Sequence, residues 1–328
     1  MKKSFYSLKG FKNIKEATVN NVIQDNLIEY FDYGLLDKGN YYNVTKGMTS
    51  PNGYDYSRLR PAQDEYYPSG QVWEGFRSNW VWQTGLAPSG LEAPIVGTDP
   101  THPGISGVYV DDTFHPTSGT GQYSHHIDYF NGRVIFDSPI PTGSVVQAEY
   151  SYKYINVVYA NNVPWMRQIH LDTQQPNANF LDVNKGEWNI PPEARLQLPA
   201  IAIEIVPQRV MKGYQLGGGQ WVYTDVLFHC IAEDEYERNK LVDIVSLQND
   251  KVIYAFDMNK INENNAYPLD YRGMPVANAL TYPDLVEQYS GGGSFRIIKT
   301  AVEGMTMPQA DLFGGTVRTT VEAIKLDI

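Results

Sequence analysis

The residues best placed to do chemistry are His125-His126-Ile127-Asp128. Side chains two apart on a strand point the same way, so His126 and Asp128 would share a face, with His115 as a third ligand for zinc. Two same-face ligands are few, however, and no HxxxH or cysteine pair supports them. Ordinary hydrogen-bonded side chains are the plainer reading, and His229, inside an apolar strand, reads the same way. Glu233, Asp234, Glu235 and Glu237 offer clustered carboxylates, but acids at a helix start are explained by capping and the helix dipole. Gly213 and Gly217-Gly218-Gly219 suggest a phosphate loop until Gln220-Trp221 follows where a Walker pattern needs Lys-Ser/Thr. No G-x-S-x-G elbow supports a Ser-His-Asp centre, and no cofactor motif is present. The lone Cys230 lies among apolar neighbours and reads as a small buried hydrophobe. The sequence therefore predicts no enzyme.

What remains are aromatic and loop residues suited to contact. Trp73, Trp80 and Trp82 could stack on sugars, or serve as core or interface anchors. The stretch Tyr214-Gln215-Leu216, with Gly217, Gly218 and Gly219 behind it and Trp221 beyond, reads as a flexible bend or hairpin between strands whose tip presents apolar groups to a partner. Tyr214, Gln215, Leu216, Gly217, Gly218, Gly219, Trp221, Trp80 and Trp82 are the candidate partner-interface residues.

The elements that would carry these residues follow from periodicity. Val19, Ile23, Leu27, Phe31 and Leu35 recur every four residues and predict an amphipathic helix over 14–37, with Lys15, Asn20, Gln24, Asp25 and Glu29 on its wet face. Residues 40–122 read as long loops with short strands, and Asn131-Gly132 as a hairpin turn with both residues at positive φ. From Val146 to Tyr154 the period is two, placing Gln147, Glu149, Ser151 and Lys153 on a wet face. A connector with one short helix near 165–171 follows. Strands are then expected at 198–206, 221–232, 252–256, 295–303 and 316–324, with a helix over 234–248 started by Asp234 and Glu237. The fold class is α+β: a mixed, mainly antiparallel sheet with helices packed on one side, plus an inserted antiparallel β domain. Residues 1–42 would complete the domain formed by 198–328, with the β-rich insertion at 43–170 and the connector at 171–197.

Composition narrows the partners. The 328 residues carry a net charge of −11, which argues against binding nucleic acid through phosphate neutralisation and suits a wall past which DNA slides. Twenty-four tyrosines suit protein interfaces. Met1-Lys2-Lys3-Ser4 opens like a signal peptide, but no apolar stretch follows and no membrane span is expected.

Several segments, taken in order, resemble neck proteins of the tail-terminator type in long-tailed bacteriophages. They are Leu198-Pro199-Ala200-Ile201-Ala202-Ile203-Glu204, Tyr214 to Gly219, Val226 to Glu233 with the helix from Glu237 to Asp243, and Gly315 to Glu322. The segment Ile127 to Phe136 is similar to parts of phage virion proteins. The resemblance implies a virion structural protein, assembled in the host cytoplasm as a homo-oligomeric ring, usually of six copies. Such a ring ends the growth of the tail tube, docks the connector proteins of the neck and, in contractile tails, touches the sheath. Genomic DNA would pass through its lumen without specific binding. A head–tail connector, or a receptor- or carbohydrate-binding virion module using Trp80 and Trp82, is the alternative.

Overall fold

The computed structural model describes residues 18–51, 53–97, 104–160, 197–215, 218–309 and 312–325. The protein is α+β and mostly antiparallel, with few helices. The connector and its short helix, and the helix residues before Thr18, lie outside the described residues.

A six-stranded sheet is built around two long hairpins. One joins β11 (Ala200–Gln215) to β12 (Gly218–Ala232); the other joins β14 (Ser290–Gln309) to β15 (Leu312–Lys325). β12 and β15 pair antiparallel along their whole lengths. β10 (Asn156–Tyr159) adds in parallel to the start of β11, and β13 (Val252–Phe256) adds antiparallel to the start of β14. The order is β10-β11-β12-β15-β14-β13. Of the two readings of the glycine-rich stretch, bend or hairpin, the structure shows the hairpin: residues 207–215 and 218–220 are its distal legs, and Gln215 pairs with Gly218. One correction follows: the β-rich insertion ends before β10, not at 170, because β10 belongs to this sheet.

One face of the sheet is covered. α1 (Val19–Leu36) and α2 (Glu235–Ser246) lay Ile23, Leu27, Phe31, Leu241 and Val245 on Ile201, Ile203, Val226, Phe228, Val317 and Val321. Apolar residues at helical spacing meet apolar residues at strand spacing, and each such side chain taken fully out of water contributes roughly 1.5–3 kcal/mol. Asp234 caps α2 by accepting from the Glu237 amide at 2.8 Å. Gly315 lets α2 sit close: a Cβ there would lie 2.7 Å from Val242 Cγ2.

The polar side of α1 is less wet than its sequence suggests. Gln24 is buried and donates to the Ile203 carbonyl at 3.0 Å. Asn26 is fully buried; it accepts from the Phe256 amide at 2.9 Å and donates to the Phe256 carbonyl at 3.3 Å. Asn40, just past the helix, accepts from the Ile155 amide at 2.7 Å and donates to the Ile155 carbonyl at 2.8 Å. Each asparagine therefore satisfies both backbone groups of one residue, as a neighbouring strand would.

The inserted domain is a seven-stranded antiparallel sheet of short strands. β2 (Arg58–Pro61), β3 (Val72–Glu74), β7 (Arg133–Phe136) and β6 (His125–Asp128) lie to one side. β8 (Val146–Ala148), β4 (Gly107–Val110) and β5 (Thr113–Pro116) complete it. Its core is aromatic, with Trp73, Trp80, Tyr129, Phe136 and Tyr150 buried together. The stretch 146–154 is not one strand with a wet face. It breaks into β8 and β9 (Tyr150–Lys153), and β9 pairs with β1 (Tyr41–Val44) in a separate ribbon. Gln147, Ser151 and Lys153 are buried, because each has a polar partner waiting: Asp55 at 2.6 Å, Asn43 at 2.7 Å and Asp32 at 2.7 Å respectively. At the Asn131-Gly132 turn only Gly132 has positive φ, at 63°. The loop spans four residues, and Asp128 closes it by accepting from Asn131 and Arg133.

The polar excursion after β13 straps the two sheets together. It opens with α3 (Met258–Asn264), whose Ile261 joins Phe256 and Leu285 of α4 (Tyr282–Gln288) in a small cluster. Between the helices, Leu269, Met274 and Ala279 pack on the aromatic core of the inserted domain, and the Ile127 amide points at Met274 Sδ at 3.1 Å.

Two predictions concern the ionic contact between α1 and β9. Lys153→Met strands the Asp32 carboxylate in a buried site and costs about 3–5 kcal/mol in urea unfolding. Beside this pair, burial first and the Asp32 charge second push the Glu29 carboxyl up to about 7 from 4.5. A carboxyl whose pKa rises on folding stabilises the fold below its unfolded value and loses that contribution as pH rises through 4.5 to about 7. Glu29→Gln is therefore expected to gain on the order of 2 kcal/mol at pH 8 and close to nothing at pH 4, read from denaturation midpoints at the two pH values.

Candidate functional site

Among the described residues the helices pack on one face of the six-stranded sheet. On the other, Leu198, Ala200, Ile231 and Leu312 form a small buried cluster at one end, and the rest of the face is half-exposed. The alternation that sends Val222, Val226, Phe228 and Cys230 towards the helices sends Trp221, Tyr223, Asp225, Leu227 and His229 to the opposite face, where each is half-exposed. Their ladder partners continue that face: Glu204 on β11, Arg318, Thr320 and Glu322 on β15, and Val252 and Tyr254 at the border. This open face, with the hairpin ends that extend it, is the candidate functional site.

Its charges are paired within the face. Glu204 meets His229 Nε2 at 2.8 Å. Asp225 accepts from Arg318 Nη1 at 3.0 Å and from the Thr320 hydroxyl at 2.8 Å, and Arg318 also binds Glu303. Those two carboxylates hold the Arg318 guanidinium even more firmly protonated than usual, Glu303 contributing most. The Tyr223 phenol has its pKa raised by its hydrogen bond to Glu322. Acidic Glu204, Asp225, Glu303 and Glu322 are thus interleaved with basic Lys212, Lys299 and Arg318, and no block of one sign forms. Such a surface neither concentrates phosphates nor strongly expels them.

Towards the β11–β12 tip the face turns aromatic. Tyr214 meets Trp221 edge-on with centroids 5.3 Å apart, Trp221 lies over Tyr223 at 6.5 Å, and Lys212 reaches across the Tyr223 ring at 5.3 Å. Val210, Met211 and Tyr214 are all exposed on this hairpin. The structure thus brings Tyr214 and Trp221 together near the tip, beside the backbone pair Gln215–Gly218 and the buried Gly219, whose φ is 82°. Leu216 and Gly217 lie outside the described residues.

Trp80 and Trp82 do not join them. Trp80 is wholly buried, stacks on Tyr150 at 4.1 Å and donates its indole N–H to the Arg77 carbonyl at 2.7 Å. Trp82 is 8% exposed in the same core, and Trp73 is buried with its N–H on the Gly70 carbonyl. The short strands around them must fill a domain interior, and large rings do so most completely. As contact residues Trp80 and Trp82 are therefore corrected to core residues, and no tryptophan platform faces a sugar from these positions.

The other chemical candidates resolve likewise. Asp128 is occupied by Asn131 and Arg133, His115 lies on the Tyr123 ring at 4.3 Å, and His125 contacts the Tyr123 carbonyl at 2.9 Å. Burial lowers the pKa of both His125 and His126. Among the described residues no group of three or more His, Cys, Asp or Glu is arranged to hold a metal. Burial pushes the Cys230 thiol up to about 12, so it is not a nucleophile. Among the described residues no helix is long and apolar enough to cross a membrane.

Sequence reading missed the open face and its ion pairs. The signal lay in the period of two along β12, whose apolar half was followed to the core while its polar half, Tyr223, Asp225 and His229, went unused.

The two aromatic sets differ in a measurable way. Trp80→Ala should cost about 3–5 kcal/mol in unfolding free energy, whereas Trp221→Ala or Tyr214→Ala should stay within about 1 kcal/mol, as read from urea titrations of each variant. In comparisons with known proteins, no family model matches the chain and no curated protein matches it.

Proposed function

We propose that the chain is a structural protein of a long-tailed bacteriophage virion, a tail terminator that assembles as a ring and works through matched surfaces. The observation that carries this reading is the six-stranded sheet whose helices, among the described residues, pack on one face, opposite a half-exposed face with its charges internally paired. An antiparallel sheet commonly leaves one such polar face in water, and this one's balanced charge suits the wall of a pore that DNA traverses without adhering. The segments that resemble neck proteins, Ala200 to Glu204, Val226 to Glu233 and Gly315 to Glu322, all fall in this sheet. The proposed partners are further copies of the chain, six in the ring, together with the tail tube, the neck connector and, in a contractile tail, the sheath. The inserted β domain, strapped to the helix-covered side through α1 and the excursion, then decorates the outside of the ring.

The receptor-binding alternative loses its proposed site with Trp80 and Trp82 in the core. The test is negative-stain microscopy of particles made without this gene product. Headless tails of excess or irregular length are expected. Uniform tails that fail to join heads would move the protein to a connector role, and complete particles that cannot adsorb would overturn the neck reading.

A further inference from the structure

The sheet ends in two unpaired strand edges that are complementary to each other. β10 covers β11 only from Ala200 to Ile203, so among the described residues, 204–215 have a ladder partner on one side alone. At the opposite border β13 covers β14 only as far as Arg296, and the last bonds to that side are those of Ile297 with Asp250 and Lys251. Residues 298–309 therefore have β15 as their only strand neighbour among the described residues. The two free stretches are of equal length. Each carries exposed apolar side chains, Val210, Met211 and Tyr214 on one and Val302 and Met305 on the other. Free edges of this length are templates for another strand, and natural proteins commonly blunt them. The two edges are not uninterrupted: β11 has a bulge between Ile205 and Arg209 that holds Pro207, and β14 shifts register at Ile297/Lys299, Val302/Gly304 and Thr306/Gln309, the last beside Pro308.

Direction and position decide the partner. β11, β12, β15 and β14 alternate in direction, so β11 and β14 run opposite ways in one sheet. When two copies stand side by side in the same orientation, β11 of one meets β14 of the next antiparallel, the better-paired arrangement. The free halves also lie at opposite ends. The β11–β12 turn sits beside Lys325 at the end of β15, whereas the β14–β15 turn sits beside Ala232 at the end of β12. Matching them requires each copy to be staggered along its neighbour's strands. A stagger of that kind is what a closed barrel of tilted strands needs.

We propose that residues 204–215 of one copy pair antiparallel with residues 298–309 of the next, making the six-stranded sheets continuous from copy to copy. The contact is head-to-tail, using two different surfaces of each chain, and so generates a closed ring without a two-fold dimer. It rests on the ring reading above and specifies the interface that reading leaves open.

The full chain is tested by light scattering after size exclusion, with two variants whose changes lie at exposed positions. V210D/M211D disables the first edge and V302D/M305D the second, and circular dichroism confirms that both remain folded. Wild type is expected to assemble, and each variant to be monomeric, its association weakened about 100-fold or more. An equimolar mixture of the two variants retains one good pair of edges and is expected to give a one-to-one dimer and nothing larger. If wild type forms rings and either variant forms them equally well, the edge pairing is overturned while the ring reading stands. A mixture that stays monomeric beside an assembling wild type overturns it too. Wild type that remains monomeric at the highest soluble concentration overturns both.

Discussion

The architecture depends on how α1 is seated. Its apolar stripe covers one face of the six-stranded sheet, but burial alone would let a helix slide and turn. Polar groups fix it instead. Gln24 reaches the Ile203 carbonyl, Asn26 takes both backbone groups of Phe256, and Asn40 takes both of Ile155. A buried amide group that loses such a partner costs about 1–3 kcal/mol, so any displacement of the helix is opposed by several such penalties together. With α1 and α2 committed to one face, no helix among the described residues covers the other, and the open face follows from that asymmetry.

The same helix ties the inserted domain to the sheet. Asp32 holds Lys153 of β9, Asn40 holds the residue just before β10, and the chain passes from the ribbon into the large sheet within three residues. On the far side the strap from α3 to α4 places Leu269 and Met274 on the aromatic core, while Tyr282 contacts Tyr30 of α1 and donates to the Tyr254 carbonyl. The two sheets are thus joined at more than one point, which suits a component that transmits force between neighbours better than a module on a flexible tether.

Much of this was legible in the sequence. The four-residue spacing from Val19 to Leu35 located α1, and Asp234 with Glu237 located the start of α2, because both signals are local. Cys230 reads as a small buried hydrophobe, and it is buried among the apolar residues of the sheet. Non-local features were not legible. For Trp80 and Trp82 the sequence left sugar stacking, core and interface open, and only their contacts with Tyr150 and the remaining core place them inside. The wet face assigned to Gln147, Ser151 and Lys153 failed for the same reason: period two separates faces, but it does not reveal that Asp55, Asn43 and Asp32 arrive from distant segments to satisfy the polar one. The glycines of this stretch concealed how far the strands extend on either side, to Gln215 and from Gly218.

A sheet with one helix-covered face, one open face and two unmatched borders has an orientation built into it. Copies joined through their borders must all turn the same face inward. The most direct test is cryo-electron microscopy of the assembled protein at a resolution that shows strands. The account predicts a ring whose inner wall is formed by the open face, with Glu204, Asp225, His229 and Arg318 towards the pore and α1 and α2 outside it. A ring with the helices lining the pore and that face turned outward would contradict it.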